Sequence, residues 1–260
     1  MQSTTIENLP NEILIKTFKN KSFNELSMLY GTNRRLRYIA IYISKIHKDK
    51  IGDELSDAIK TDNRYKVSLL LDIGIDVNNF ILTYITPLTY AVSSEKKEIV
   101  RILLNRGADM NKHDFSNATP LSYATSVNNI DIMKMLLDAG ADVNIRDFQN
   151  YYTPLMTAAN NDSYTEVVEL LLNRGADVNL KNQWGNTALI ISILILNINN
   201  TKMLLKAGAD VNIKNREGKD ALFYINEKIK YNKSIMIIKR KHIIHIKCNL
   251  QLLKIYLMKY

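Results

Sequence analysis

A glycine followed two residues later by aspartate recurs at Gly74, Gly107, Gly140, Gly175 and Gly208, at intervals of 33, 33, 35 and 33 residues. A period of this length means that one supersecondary unit is used repeatedly, so the middle of the chain must stack rather than fold around one centre. Threonine recurs about twelve residues after the first four glycines, at Thr86, Thr119, Thr153 and Thr187; three of these begin Thr-Pro-Leu and the fourth reads Thr-Ala-Leu. Thr-Pro is a helix start, because the threonine hydroxyl accepts from an orphan amide and proline presets φ at the first helical position. The first helix of each unit is short and carries a small residue, Ala91, Ala124 or Ala158, where the next unit must approach closely. A second helix places Ile99, Val100, Leu103 and Leu104 on one face. It stops at Gly107, a residue suited to a left-handed C-cap, and Ala-Asp-x-Asn leads out into a hairpin.

The segments RILLNRGADMN, MKMLLDAGADVN, VVELLLNRGADVN and TKMLLKAGADVN, with a degenerate first copy VSLLLDIGIDVN, resemble the ankyrin repeat. The resemblance covers residues 53–225, five repeats and a partial terminal one. It implies an all-α fold: an ankyrin-repeat solenoid of helix pairs and hairpin loops, preceded by a small three-helix module and followed by a helical tail at 226–260. Three departures stand out. The fourth repeat is two residues longer, with one extra near Asn150, Tyr151 and Tyr152 and one within 160–165, both at loops. The fifth has an unusually apolar first helix, LIISILIL. The family's usual histidine after Thr-Pro-Leu is replaced by Thr89, Ser122 and Met156, which predicts weaker hairpin hydrogen bonding.

Residues 1–52 carry no repeat. The stretch IENLPNEILIKTFKNKSFNELSMLYGTNRRLRYIA resembles the F-box through Leu9, Pro10, Glu12, Ile13, Leu14, Phe18, Glu25, Leu26, Asn33, Arg34, Leu36 and Ala40; Asn20 and Thr32 depart from that pattern. Three short helices are expected, near 11–19, 23–30 and 33–46, with Asn33 capping the third. An F-box docks on the Skp-type adaptor of a cullin ubiquitin ligase, and the resemblance makes Leu9, Pro10, Ile13 and Leu14 the adaptor-facing anchors. A 35-residue unit has too little interior for all its aliphatics, so these four are expected to form an exposed patch. The alternative is that the helices only cap the repeat stack. An F-box ahead of ankyrin repeats in so AT-rich a chain is similar to ankyrin proteins of amoeba-infecting giant viruses; intracellular bacteria are the other source it fits.

In ankyrin stacks, hairpin tips and first-helix ends line a concave face. Register places the target-binding residues at Phe115, Tyr152, Trp184 and Asn186 on hairpins and at Ser126, Val127, Asn160 and Asn161 on helix ends. Phe115, Tyr152 and Trp184 are the expected anchors, since aromatic residues dominate hot spots.

Composition bounds the rest. Ile, Asn and Lys number 33, 29 and 25 of 260 residues, a bias AT-rich codons explain, so each lysine is not a ligand contact. The net charge of +9 is concentrated in residues 229–260, which hold eight basic and no acidic groups. There Ile243, Ile246, Leu250, Leu253 and Leu257 form a helical stripe, read first as a cap on the last repeat and otherwise as a membrane-surface helix or nucleic-acid arm. His242, His245 and Cys248 have ligand-like spacing but lack acidic and further cysteine partners, so no metal site is expected. No catalytic set and no cofactor motif stands out, and no enzymatic activity is expected. The longest apolar run, 188–198, is too short to span a bilayer and is broken by Ser192 and Asn197. No signal peptide is expected, and the single cysteine fits a reducing interior. The sequence therefore points to a monomeric cytoplasmic adaptor, in the host cytoplasm if viral, that brings an unidentified protein target to a Skp-type/cullin ligase. The rivals are a plain scaffold that sequesters a host protein and a nucleic-acid-associated scaffold.

Overall fold

The structure is a computed structural model that describes residues 9–46, 54–147, 149–235 and 254–255. The apolar stripe from Ile243 to Leu257 and the His242, His245, Cys248 triplet lie outside the described residues. Among the described residues there are fourteen α-helices and no strand, only an isolated antiparallel bridge between Ile81 and Ile85. The chain parts into two compact units, Met1–Ser116 and Asn117–Tyr260.

The first unit begins with α1 (Asn11–Phe18), α2 (Phe23–Tyr30) and α3 (Arg34–Ile46). Each boundary follows local chemistry. Pro10, with φ −54° and ψ 148°, opens α1. Ser22 and Glu25 form a reciprocal capping box at the start of α2. Hydrogen bonds from Lys21 and Ser22 hold the Glu25 carboxyl down at about 2, so the box is present above the ordinary carboxylate range and is lost only as pH falls through that value. Asn33 accepts from the Leu36 amide at 2.9 Å and caps α3. Leu14, Leu26, Ile39, Ala40 and Ile43 are fully buried and form the small core of these helices.

Two helix pairs follow: α4 (Glu54–Lys60) with α5 (Arg64–Asp72), and α6 (Pro87–Ser93) with α7 (Lys97–Asn105). The inner helices α4 and α6 pack together, as do the outer helices α5 and α7. The three N-terminal helices do not stand apart, because α2 and α3 both pack on α5. Tyr30 donates to Asp72 at 2.5 Å, and Arg106 reaches the other Asp72 oxygen at 2.6 Å, so one carboxylate ties the module to both repeats. Burial, reinforced by the bond to Asp72, pushes the Tyr30 hydroxyl above its ordinary pKa. Asn63 caps α5 and donates to Ser27 at 3.4 Å. A methyl added at Gly31 would lie 2.9 Å from the Tyr65 ring, so the module sits close against α5. Within the first pair Lys66 is 1% exposed and bridges Glu54 and Asp57 at 2.5 and 2.8 Å. Burial alone would lower its pKa, but the two carboxylates outweigh it and hold the ammonium above its ordinary value.

The second unit contains α8 (Pro120–Ser126), α9 (Ile130–Asp138), α10 (Pro154–Ala159), α11 (Thr165–Asn173), α12 (Ala188–Leu194), α13 (Ile198–Lys206) and α14 (Ala221–Ile235). Its inner helices stack in the order α8, α10, α12, α14, each pairing with the outer helix that follows where one is present. The expected caps are in place: Thr119, Thr153 and Thr187 accept from the amides of Ser122, Met156 and Ile190, as Thr86 does from Thr89 in the first unit. Ala124 and Ala158 are fully buried, as is Ala91 in the first unit. Two of the three residues that replace the histidines make local side-chain bonds. Ser122 returns a bond to the Thr119 amide at 2.9 Å, and the Thr86 and Thr89 hydroxyls pair at 2.8 Å. The apolar helix α12 has no polar face because none is left to solvate: α10, α13 and α14 surround it, and Leu189, Ile190, Ile191 and Ile193 are at most 3% exposed.

The Gly-x-Asp motif has two jobs. Each aspartate accepts from the amide two residues on, as in Asp142 with Asn144 and Asp177 with Asn179. Within each unit the asparagine then accepts from the aspartate amide of the next repeat in three places: Asp109 to Asn78, Asp177 to Asn144 and Asp210 to Asn179, all at 2.7–2.8 Å. The repeats are thus joined by polar bonds as well as by apolar faces.

Candidate protein-binding surface

The hairpins form ladders. In the first unit the Phe115 amide donates to the Tyr84 carbonyl at 2.9 Å. The Phe115 ring lies 4.7 Å from that of Phe80, and the Lys112 ammonium sits 4.6 Å over Phe80. Phe115 nevertheless remains 66% exposed. The preceding hairpin tip is strained, with Leu82 at φ +49° and Thr83 at φ +68°, the second a β-branched residue in a left-handed conformation. Thr83→Gly removes that strain at an exposed position and should raise stability by about 1 kcal/mol, after allowing for the extra chain entropy of glycine. A urea midpoint that stays put or falls would refute this tip geometry.

In the second unit the hairpins at 147–152, 182–186 and 215–219 are linked in series. The Gln183 amide donates to Asn150 and the Arg216 amide to Trp184, both at 2.9 Å. Side chains repeat the pattern: Gln183 to Asn150 at 2.6 Å and Asn215 to Asn186 at 2.9 Å. Tyr152 and Trp184 meet edge to face, with centroids 6.2 Å apart. Trp184 stays 47% exposed, whereas Tyr152 is half-buried. Burial pushes the Tyr152 hydroxyl above its ordinary value, offset in part by the Asn182 amide. Trp184 thus packs edge to face on Tyr152 while much of its side chain stays open to solvent. Asn186 works within the ladder, its side-chain oxygen being taken by Asn215.

The helix-end residues divide in the same way. Ser126, Val127 and Asn160 are exposed at the ends of α8 and α10. Asn161 is half-buried and engaged: its side-chain oxygen accepts from the Ser163 amide at 2.9 Å, and its carbonyl accepts from Asn197 and Asn200 at 3.2 Å. The lengthened loop after α10 is thus an internal brace. Its Tyr164 donates to the Ser126 carbonyl at 2.7 Å, back to the previous repeat, while Asn197 and Asn200 reach it from the next. Sequence reasoning placed the insertion at a loop but missed Tyr164 as the residue that spans it. Tyr164→Phe should cost about 1 kcal/mol in chemical denaturation, the net worth of one such bond; an unchanged midpoint would mean the bridge does not form.

At the N-terminal module, the four expected anchors separate. Pro10 is exposed, Ile13 is 49% exposed and Leu9 is half-buried. Leu14 is 0% exposed, and this corrects the expectation of a four-residue patch. With Phe18 it is one of the residues by which the two-turn helix α1 attaches, so it serves the interior and not a partner.

Among the described residues no group of three or more His, Cys, Asp or Glu could hold a metal ion, and no helix is long and apolar enough to cross a membrane.

A family model for ankyrin repeats, three copies, matches residues 55–147 and again 148–227. The chain belongs to the ankyrin repeat family. Ankyrin repeats are protein-binding scaffolds. No curated protein matches the chain closely enough to stand as a relative.

Proposed function

We propose that this ankyrin protein is a non-catalytic adaptor that uses its N-terminal helices to engage a Skp-type adaptor of a cullin ubiquitin ligase and its repeats to hold a protein target. The observation that carries the reading is the state of α1. Helices α2 and α3 spend their faces on each other and on α5, whereas α1 packs chiefly on α3 and leaves Pro10 and Ile13 exposed at its first turn. What supports the reading is that these two exposed apolar residues fall at the positions where the F-box resemblance puts the adaptor-facing anchors. The target side rests on Trp184 with its Tyr152 support in one unit and on Phe115 in the other.

The test is capture of a purified Skp-type adaptor by the full chain. Wild-type protein should retain the adaptor, and Leu9→Ala with Pro10→Ala should lose it by at least tenfold. The same double change should leave binding through Trp184 intact, because distant sites act independently. Absence of capture by the wild type, or equal capture by the double variant, returns the module to the role of an end cap. The chain is then a plain ankyrin scaffold, a reading favoured by the packing of α2 and α3 on α5.

A further inference from the structure

We infer that Arg35 is a positioning residue for adaptor docking, an inference that rests on the ligase reading above. Arg35 lies on the first turn of α3, yet its guanidinium reaches back across the module to the start of α1. Its Nε donates to the Asn11 side-chain oxygen at 2.7 Å, and a terminal nitrogen donates to the Leu9 carbonyl. These two acceptors flank Pro10. The residue between them carries no amide proton and, as N-cap, makes no side-chain hydrogen bond to the first turn; α1 holds it through its carbonyl, which accepts from the Ile13 and Leu14 amides, and leaves the chain ahead of it untied. The conformation of the segment from Leu9 to Asn11 is therefore set from outside the helix, by one guanidinium whose planar fork matches two acceptors at once.

The consequence concerns binding entropy. Leu9 and Pro10 lie ahead of the first turn of α1, and without a clamp a segment there would sample many conformations. A partner would then have to order the segment on binding, and the ordering would weaken affinity. Arg35 does that ordering within the free protein. Lysine, a single point donor on a flexible stem, can satisfy one of the two acceptors but not both at fixed geometry.

The experiment is a double-mutant cycle on the full chain, with purified Skp-type adaptor as the probe. Arg35→Met should weaken capture about tenfold, and Arg35→Lys by less. In a Leu9→Ala background, which is weakened but measurable, Arg35→Met should cost less than twofold, because the contact it positions is already gone. Hydrogen exchange supplies the readout that needs no partner: amides of residues 11–14 should exchange at least fivefold faster in Arg35→Met, with those of α2 unchanged. Additive losses in the cycle would overturn the inference, since Arg35 would then touch the adaptor itself or act through general stability. Unchanged exchange at 11–14 would overturn it as well. If the wild type captures no adaptor, the ligase reading falls and takes the docking role of Arg35 with it; faster exchange with intact wild-type capture but unaltered affinity of Arg35→Met overturns the docking role alone.

Discussion

Replacing Gly185 with alanine should lower the stability of the second unit by about 3 kcal/mol or more, the largest effect expected of any one-methyl change on a hairpin in this chain. Two costs coincide there. Gly185 has φ +78°, where a side chain is strained. Its Cβ would also lie 2.7 Å from the Arg216 nitrogen and 3.0 Å from the Asn215 α-carbon. Both are backbone atoms of the next hairpin, so no side chain can swing aside. The Arg216 amide is the donor to Trp184, and Asn215 is the donor to Asn186. Relief of the clash therefore requires breaking the ladder that supports Trp184. Gly140 is the control. It has φ +96° but nothing within 4 Å of an added Cβ. Alanine there should cost about 1 kcal/mol, and valine about 1 to 3, from backbone strain alone. Urea unfolding of the two alanine variants, followed by Trp184 fluorescence, reads the difference. Equal midpoints would mean that the 182–186 and 215–219 hairpins are not in contact.

The contrast between those two glycines shows what the sequence could disclose. Period, threonine caps, buried alanines and the apolar face of the second helices are all local or periodic signals, and the helices begin and end where those signals place them. The first and third N-terminal helices were legible for the same reason, since Pro10 and Asn33 punctuate them, whereas the Ser22 cap of the second came only with the structure. Non-local contacts were not legible. Tyr164 finds its acceptor 38 residues away, Gly185 faces a hairpin 30 residues on, and Arg35 clamps a carbonyl on another helix. Nothing in the neighbouring letters marks those partners. Burial within a two-turn helix is equally hidden. Ile13 and Leu14 are adjacent aliphatics in a motif that treats them alike, yet they differ by 49% against 0% exposure, because only the packing of α1 on α3 decides which one points inward.

Removing residues 1–52 should unravel the first helix pair, and this is the change with the greatest reach into the repeats. Helix α5 has α4 and α7 on one side and α2 and α3 on the other. It has nine residues, too few to persist without tertiary contacts. Its Val67, Leu69 and Leu70 are fully buried in the full chain. Baring even two aliphatic side chains of that size costs roughly 3 to 6 kcal/mol, which exceeds what one terminal repeat contributes through a single remaining interface. Asp72 also loses Tyr30, leaving Arg106 as its partner in the network. The amides of residues 54–72 should therefore exchange at least a hundredfold faster in the truncated chain, while those of α6 and α7 should speed up only where α4 and α5 had covered them. Exchange in the second unit should be unaffected. If residues 54–72 stay as protected as in the full chain, the module is a passenger on the stack. Strong deprotection shows instead that the same three helices which present Pro10 and Ile13 also close the open end of the repeats. Capping and the docking proposed above call on different surfaces: α2 and α3 pack on α5, and Pro10 and Ile13 at the first turn of α1 are exposed.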